Sequence, residues 1–222
     1  MLRWHHGGVS SVAKKALGLT AKGRHTRQRI VEAADRLIGR HGVTRVTLED
    51  VRAEAKVSSS QIYHYFVDKQ SLLSAVVDYQ ETLSVDQPSM HGDFDSPQAV
   101  EAWVRRLIEQ QQETRYGGGC PITALSSGTM GIDADTVTQI ARMFRRYEDK
   151  IRAGYRTMHA NGGMAPDADP DALATMTLAT AIGGLVLTQL NHDTRSLQAA
   201  LDGLLGCLHP RYRTASNALA PR

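Results

Sequence analysis

A chain of 222 residues, 41% of them hydrophobic, is long enough to bury a real core, and 19 Gly with 7 Pro is too few for a disordered or fibrous chain. Two cysteines far apart in sequence, Cys120 and Cys207, exclude a disulfide framework and any Cys-x-x-Cys metal or redox motif. Net charge is only +3, yet residues 1–69 hold 13 Lys/Arg against 6 Asp/Glu while residues 70–222 hold 13 against 17, so a polyanion partner is expected for the first third alone.

Residues 1–24 read as a flexible basic arm without the continuous apolar stretch of a signal peptide. A helix follows to His41, with Ile30, Ala33, Ala34, Leu37 and Ile38 at helical spacing, Thr26 as its expected N-cap and Gly42 as its stop. Thr47 caps a short helix whose inward stripe is Leu48, Val51 and Ala55. Ser58 with Gln61 three residues later fits a capping box, so a new helix starts there and the previous one must end near Ala55. That helix buries Ile62; Tyr65 is expected to pack inward and Tyr63 to point out. Asp68 caps a longer helix from Lys69 to about Leu83.

Ser96-Pro97 opens a helix to about Arg115, with Val100, Trp103, Val104, Leu107 and Ile108 on its apolar face. The stretch YGGGCPITALSSGTMG breaks it and carries a short helix after Pro121. Further helices run from Asp133 to about Asn161, from Asp169 or Asp171 to near Asn191, and from Ser196 to Leu208. Strand-like alternation is absent, so the expectation is an all-α fold of about nine helices. The apolar run ATAIGGLVLTQL is read as too short to span a bilayer and as interrupted by Thr and Gln, so no membrane partner is expected and the location is cytoplasmic.

The expected division is a flexible arm (1–24), a three-helix DNA-binding domain (25–68), a larger helical ligand-binding and dimerisation domain (69–210) and a flexible tail (211–222). The second and third short helices form a helix-turn-helix, which sets its second helix in the major groove of DNA. A reading helix needs short polar side chains near its N-terminus; Ser58, Ser59, Ser60 and Gln61 meet that need. Phosphates need cations and N–H or O–H donors around the rim, which Arg27, Arg45, Thr47, Tyr63, His64 and Lys69 can supply. Gln61 is either a base reader or only the capping partner of Ser58, and His64 is either a contact or an incidental surface residue.

The stretch from Arg29 to Val77 resembles the DNA-binding region of the tetracycline-repressor (TetR) family. The shared features are Thr47 opening the second helix, Ala55-Lys56-Val57-Ser58 at the turn, Tyr63-His64-Tyr65-Phe66 closing the third helix and Lys69 starting the fourth. Two positions depart from the family pattern. Lys56 stands where a turn glycine is usual, and Arg52 where a small Ala is usual; each adds positive charge. The remainder, with GGGCPITALSSG and the run from Ala179 to Leu205, resembles the LmrA/YxaF-type regulators.

The resemblance implies a dimer built on the last two helices, two reading helices on successive major grooves of a near-palindromic double-stranded operator, and a small-molecule effector. Ala181, Gly184 and Thr188 leave a narrow stripe for close approach of another helix; the alternative is a Gly183-Gly184 kink within one subunit. Trp103, Met130, Phe144, Tyr147, Met176 and Gln189 can line a mostly apolar effector cavity, though each is equally a core residue. Cys120 is either a small buried hydrophobe or a reactive thiol. The histidines lack ligand spacing, so no metal and no cofactor are expected, and no enzyme motif is present. The function expected is a ligand-responsive repressor; a helical small-molecule binder without operator binding is the alternative.

Overall fold

The computed structural model describes residues 19–83, 92–115, 124 and 133–208, and among these every regular element is helical. Eight helices are present there: α1 (Ala21–His41), α2 (Leu48–Ala55), α3 (Ser59–Tyr65), α4 (Lys69–Glu81), α5 (Pro97–Glu113), α6 (Ala134–Ala160), α7 (Pro170–Asn191) and α8 (Arg195–Leu208). The helix expected after Pro121 falls almost wholly outside the described residues, as do Cys120, Met130 and the tail from 209 onward.

Most starts follow from side chains that accept a backbone N–H of the first turn, which helical pairing leaves without a partner. Thr47, Ser58, Asp68, Ser96, Asp133 and Asp169 all do this at the expected places. α8 starts at Arg195, one residue before the expected Ser196, and α1 departs further. Its cap is Thr20, whose Oγ1 accepts from Gly23 N at 3.1 Å, so the helix begins five residues before Thr26. Thr26 instead lies buried within α1, its hydroxyl donating to the Lys22 carbonyl at 3.0 Å. Residues 21–24 therefore belong to a helix rather than to an arm. No acidic residue lies in the first turn after Thr20, and Gly23 interrupts it, so the basic stretch reads as irregular.

Two apolar cores organise the chain. The first joins α1, α2, α3 and α4 through Ile30, Ile38, Val51, Ile62, Phe66, Leu72 and Val76, and it extends to Ile140 and Met143 of α6. The second joins α5, α6, α7 and α8 through Val100, Trp103, Ile151, Tyr155, Leu185, Leu197 and Leu201. α6, 27 residues long, spans both cores. A division at 68/69 thus cuts through packed residues: α4 shares its apolar face with the helix-turn-helix.

The stripe of Ala181, Gly184 and Thr188 is occupied, but by the chain's own α8. A Cβ on Gly184 would lie 2.5 Å from Leu197 Cδ1 and 3.1 Å from Leu197 Cα, and all three stripe residues are buried. The close helix approach is therefore intramolecular. The opposite face of α7 stays open: Gly183 meets nothing within 4 Å, and Leu187 and Leu190 are exposed, Leu190 by 71%. α7 also corrects the reading of its apolar run. It is 22 residues long and contains an 18-residue stretch of mean hydropathy 1.5, long and apolar enough to cross a membrane, by length and composition only. It packs here against α6 and α8.

Candidate nucleic-acid interface

The helix-turn-helix is held together from inside by Val51, Ala55, Val57, Ile62 and Phe66, all buried, which leaves the other face of α3 in solvent. Thr47 and Asp50 form a capping box: Thr47 N donates to Asp50 Oδ2 at 2.9 Å, and Asp50 N to Thr47 Oγ1 at 3.2 Å. Ser58 and Gln61 form a second, with Ser58 N donating to Gln61 Oε1 at 2.8 Å and Gln61 N to Ser58 Oγ at 3.2 Å. Gln61 therefore caps in this structure, while its amide nitrogen remains on an exposed residue.

Ser58, Ser59, Ser60 and Gln61 are all exposed, as are Arg45, Thr47, Tyr63 and His64. Tyr63 is 56% exposed, whereas Tyr65 packs partly against the first core and meets the His64 ring edge-on at 4.9 Å. Ser60 Oγ lies 3.0 Å from Ser58 Oγ. Two of the candidate cations are drawn in. Arg27 is half-buried, its guanidinium 5.2 Å from the Phe66 ring centroid; burial lowers its pKa and the Asp78 carboxylate opposes that. Lys69 Nζ donates to the Thr44 carbonyl at 3.3 Å, and burial lowers its pKa too. Arg52, which stands where a small Ala is usual, is partly exposed and is bound by Glu49 one turn away.

Sequence reasoning missed two residues that set this geometry. Arg29 reaches from α1 to the turn, donating through Nη2 to the Ala55 carbonyl at 2.9 Å and the Lys56 carbonyl at 3.4 Å. No local signal marks it, because its partners lie 26 and 27 residues away. Asp50 did carry a signal: Thr-x-x-Asp differs from the capping-box pattern only in a shorter acid.

Behind the reading head, a polar seam ties α4 to its neighbours. Gln139 of α6 accepts from Ser74 Oγ at 2.8 Å and donates to Asp78 Oδ1 at 2.5 Å, and Arg146 pairs with the largely buried Glu81 at 2.7 Å. On the other side of α4, Gln80 donates to Asp35 of α1 at 2.5 Å. Burial raises the Asp35 carboxyl to about 6, with the Gln80 hydrogen bond and nearby Arg36 opposing and Glu32 adding to the rise.

A raised carboxyl means that the folded chain holds the proton more tightly than the unfolded one. Stability from this group is full below about pH 4, falls as pH rises towards 6 and stays lower above. Asp35→Asn is expected to flatten that profile, stabilising the chain by about 3 kcal/mol at pH 8 with the two curves converging near pH 4. Urea unfolding across pH checks this; an offset equal at every pH would assign the titration elsewhere.

The proposed effector residues do not share one environment. Phe144 packs at the edge of the first core. Trp103 and Tyr147 are buried in the second, with Met176 at its margin beside a surface cleft of about 250 Å³ that also takes Leu173 and Cys207. Gln189 is half-buried on α7, and Met130 lies outside the described residues. Trp103 stacks edge-on against Phe94 at 5.3 Å, and Phe94 meets Tyr155 at 6.1 Å. Gln111 of α5, absent from the expected set, is 2% exposed and its Oε1 has no hydrogen-bond partner among the described residues. Among the described residues, no cluster of three or more His, Cys, Asp or Glu is placed to hold a metal ion.

Known proteins match both halves. Residues 30–76 match the family described as bacterial regulatory proteins, tetR family, and residues 97–202 match the C-terminal domain of LmrA/YxaF-like transcriptional regulators. An uncharacterized HTH-type transcriptional regulator of Bacillus subtilis, YxaF, is 25% identical over 182 residues, covering 81% of this chain and 92% of its own. The HTH-type transcriptional repressor DhaR of a Mycobacterium species is 23% identical over 194 residues, covering 86% and 96%. In fold, the crystal structure of a regulatory protein TetR from Rhodobacter sphaeroides superposes with a TM-score of 0.72 at 17% identity, covering 82% of this chain and 98% of that one.

Proposed function

The chain belongs to the TetR family of bacterial regulatory proteins, is a DNA-binding transcriptional regulator, and on that premise we propose that it represses from a near-palindromic operator as a homodimer until a small molecule releases it. The observation that carries the DNA half is the exposed Ser59-Ser60-Gln61 face on a helix whose inner side is locked by Ile62 and Phe66. Short polar side chains on a rigid helix suit the donor and acceptor edges of the major groove. Arg45, Thr47, Tyr63, His64 and Lys69 surround it as phosphate donors, and Arg27 braces it from behind. A DNA-bound regulator works in the cytoplasm. The family is one of transcriptional regulators rather than enzymes.

The dimer forms through the open face of α7, at Gly183, Leu187 and Leu190, together with α8. This replaces the stripe that α8 itself fills. The effector binds in the second core, and the buried Gln111 Oε1 of α5, without a partner among the described residues, favours a mostly apolar molecule carrying one hydrogen-bond donor. To release DNA, the effector must bind better to a conformation whose reading heads no longer match the groove spacing. α6 spans both cores and α4 is hydrogen-bonded to it through Gln139, so displacement of α6 reaches the head by that route.

The test is a gel-shift titration of the chain's own upstream DNA across a salt series. Lys69→Ala is expected to weaken all sequences alike and to lower the salt slope by about one, while Gln61→Ala relaxes preference at one position. If Gln61→Ala lowers melting temperature and leaves specificity unchanged, its role is capping. A chain that prefers no site over random duplex would instead be a helical small-molecule binder.

A further inference from the structure

We infer that Lys56 is a phosphate anchor on the shoulder of the reading helix, kept at the expense of a strained turn. The inference rests on the DNA-binding reading and adds a contact at a position where glycine would suit the backbone better.

Lys56 follows α2 with φ 53 and ψ 51, the left-handed region that crowds the Cβ of any L residue against its own carbonyl and that glycine enters freely. The lysine does not impose this conformation. Its N–H donates to the Ala53 carbonyl at 3.2 Å and Val57 N to the Arg52 carbonyl at 3.2 Å, which closes the end of α2. Arg29 then clamps the Ala55 and Lys56 carbonyls from α1. The backbone is held from both sides, and a side chain of any type would sit in the same strained position.

Packing gives no reason for lysine there. Lys56 is exposed, and its ammonium has no hydrogen-bond or ion-pair partner among the described residues. Four other cations of the head are engaged, Arg52 by Glu49, Arg36 by Glu54, Arg29 by carbonyls and Lys69 by the Thr44 carbonyl, whereas Lys56 and the exposed Arg45 have no such partner among the described residues. Lys56 lies two residues before the Ser58 cap, at the end of α3 that enters a groove first. A flexible ammonium beside that end meets the sugar-phosphate wall rather than base edges, because it offers a point charge without the planar fork that reads a base. Strained backbone kept at a surface turn is a recurring mark of function.

The experiment needs no operator, since phosphate contacts are blind to sequence. Parent, Lys56→Gly, Lys56→Arg and, as a charge-matched control, Arg105→Gln on the exposed face of α5 are titrated with a labelled duplex of arbitrary sequence between about 50 and 200 mM salt, and are melted without DNA. Lys56→Gly is expected to melt about 2–4 °C higher yet bind roughly tenfold more weakly, with the salt slope lower by about one per protomer. Lys56→Arg should keep parental affinity, and Arg105→Gln should stay within about twofold of it.

Unchanged affinity and slope in Lys56→Gly, or an equal loss in Arg105→Gln, would overturn the anchor. Absence of a rise in melting temperature would overturn the strain. A parent that binds the duplex without salt dependence would take down the DNA-binding reading itself, a result distinguishable from all of these.

Discussion

Phe66→Ala is expected to destabilise the chain by about 3–5 kcal/mol, lowering its melting temperature by roughly 10 °C, and to abolish DNA binding. Phe66 is fully buried in the first core, one residue beyond α3, where the chain turns extended at φ −135 and its N–H closes the helix on the Ile62 carbonyl at 2.8 Å. Removing the ring leaves a cavity between the reading helix and α1, and the stability lost grows with the part of that cavity that cannot collapse. It also takes away the aromatic face beneath the half-buried Arg27 guanidinium, whose charge is then poorly compensated. Urea unfolding and duplex titration read the two effects. Phe66→Leu should recover more than half of the stability, since most of the apolar volume returns. Full DNA binding by a folded Phe66→Ala chain would mean that the orientation of α3 does not depend on this joint.

Gly154→Ala should lose about 3 kcal/mol from the other half of the molecule. In an open helix position the same change would stabilise by roughly 0.5–1 kcal/mol, because glycine costs backbone entropy there. Here a Cβ would stand 2.1 Å from the Asp93 carbonyl oxygen and 2.7 Å from Phe94 Cβ, so backbone as well as side chain must move. The segment before α5 lies against α6 at that glycine and places the Phe94 ring, 1% exposed, between Trp103 and Tyr155. Phe94 itself has φ 54, so it holds its place only while the surrounding aromatic packing outweighs that strain. The first core does not include these residues, so affinity for arbitrary duplex well below the melting point should stay within about twofold. A melting temperature at or above that of the parent would show that the segment can lift without loss.

Much of the reading head was legible before any coordinates. Ser58 and Gln61 lie three residues apart, and their capping bonds need no distant partner. The same holds for Thr47, Asp68 and Ser96-Pro97, so those helix starts followed from local chemistry, while of Asp169 and Asp171 the structure has Asp169 as the cap. Where the local signal was faint, as at Thr20, the boundary was missed. The outward direction of Tyr63 and inward direction of Tyr65 followed from helical period alone. The effector residues were a different matter. Trp103, Phe144 and Tyr147 are apolar and helical in either role, and only packing separates one core from the other.

By itself the sequence determined the helical order, the capped turn between α2 and α3, the polar character of the α3 face and the positive bias of the first third. Each depends on groups within a few residues of one another, whose geometry a helix or a turn sets without help. Tertiary structure alone decided that α8 rather than a second copy fills the Ala181–Thr188 stripe, that Arg29 clamps a turn from a distant helix, that Arg27 lies over Phe66, and that Asp35 meets Gln80. Those pairings join groups up to tens of residues apart, and which of many chemically equivalent partners meet is settled by how the apolar faces close on each other.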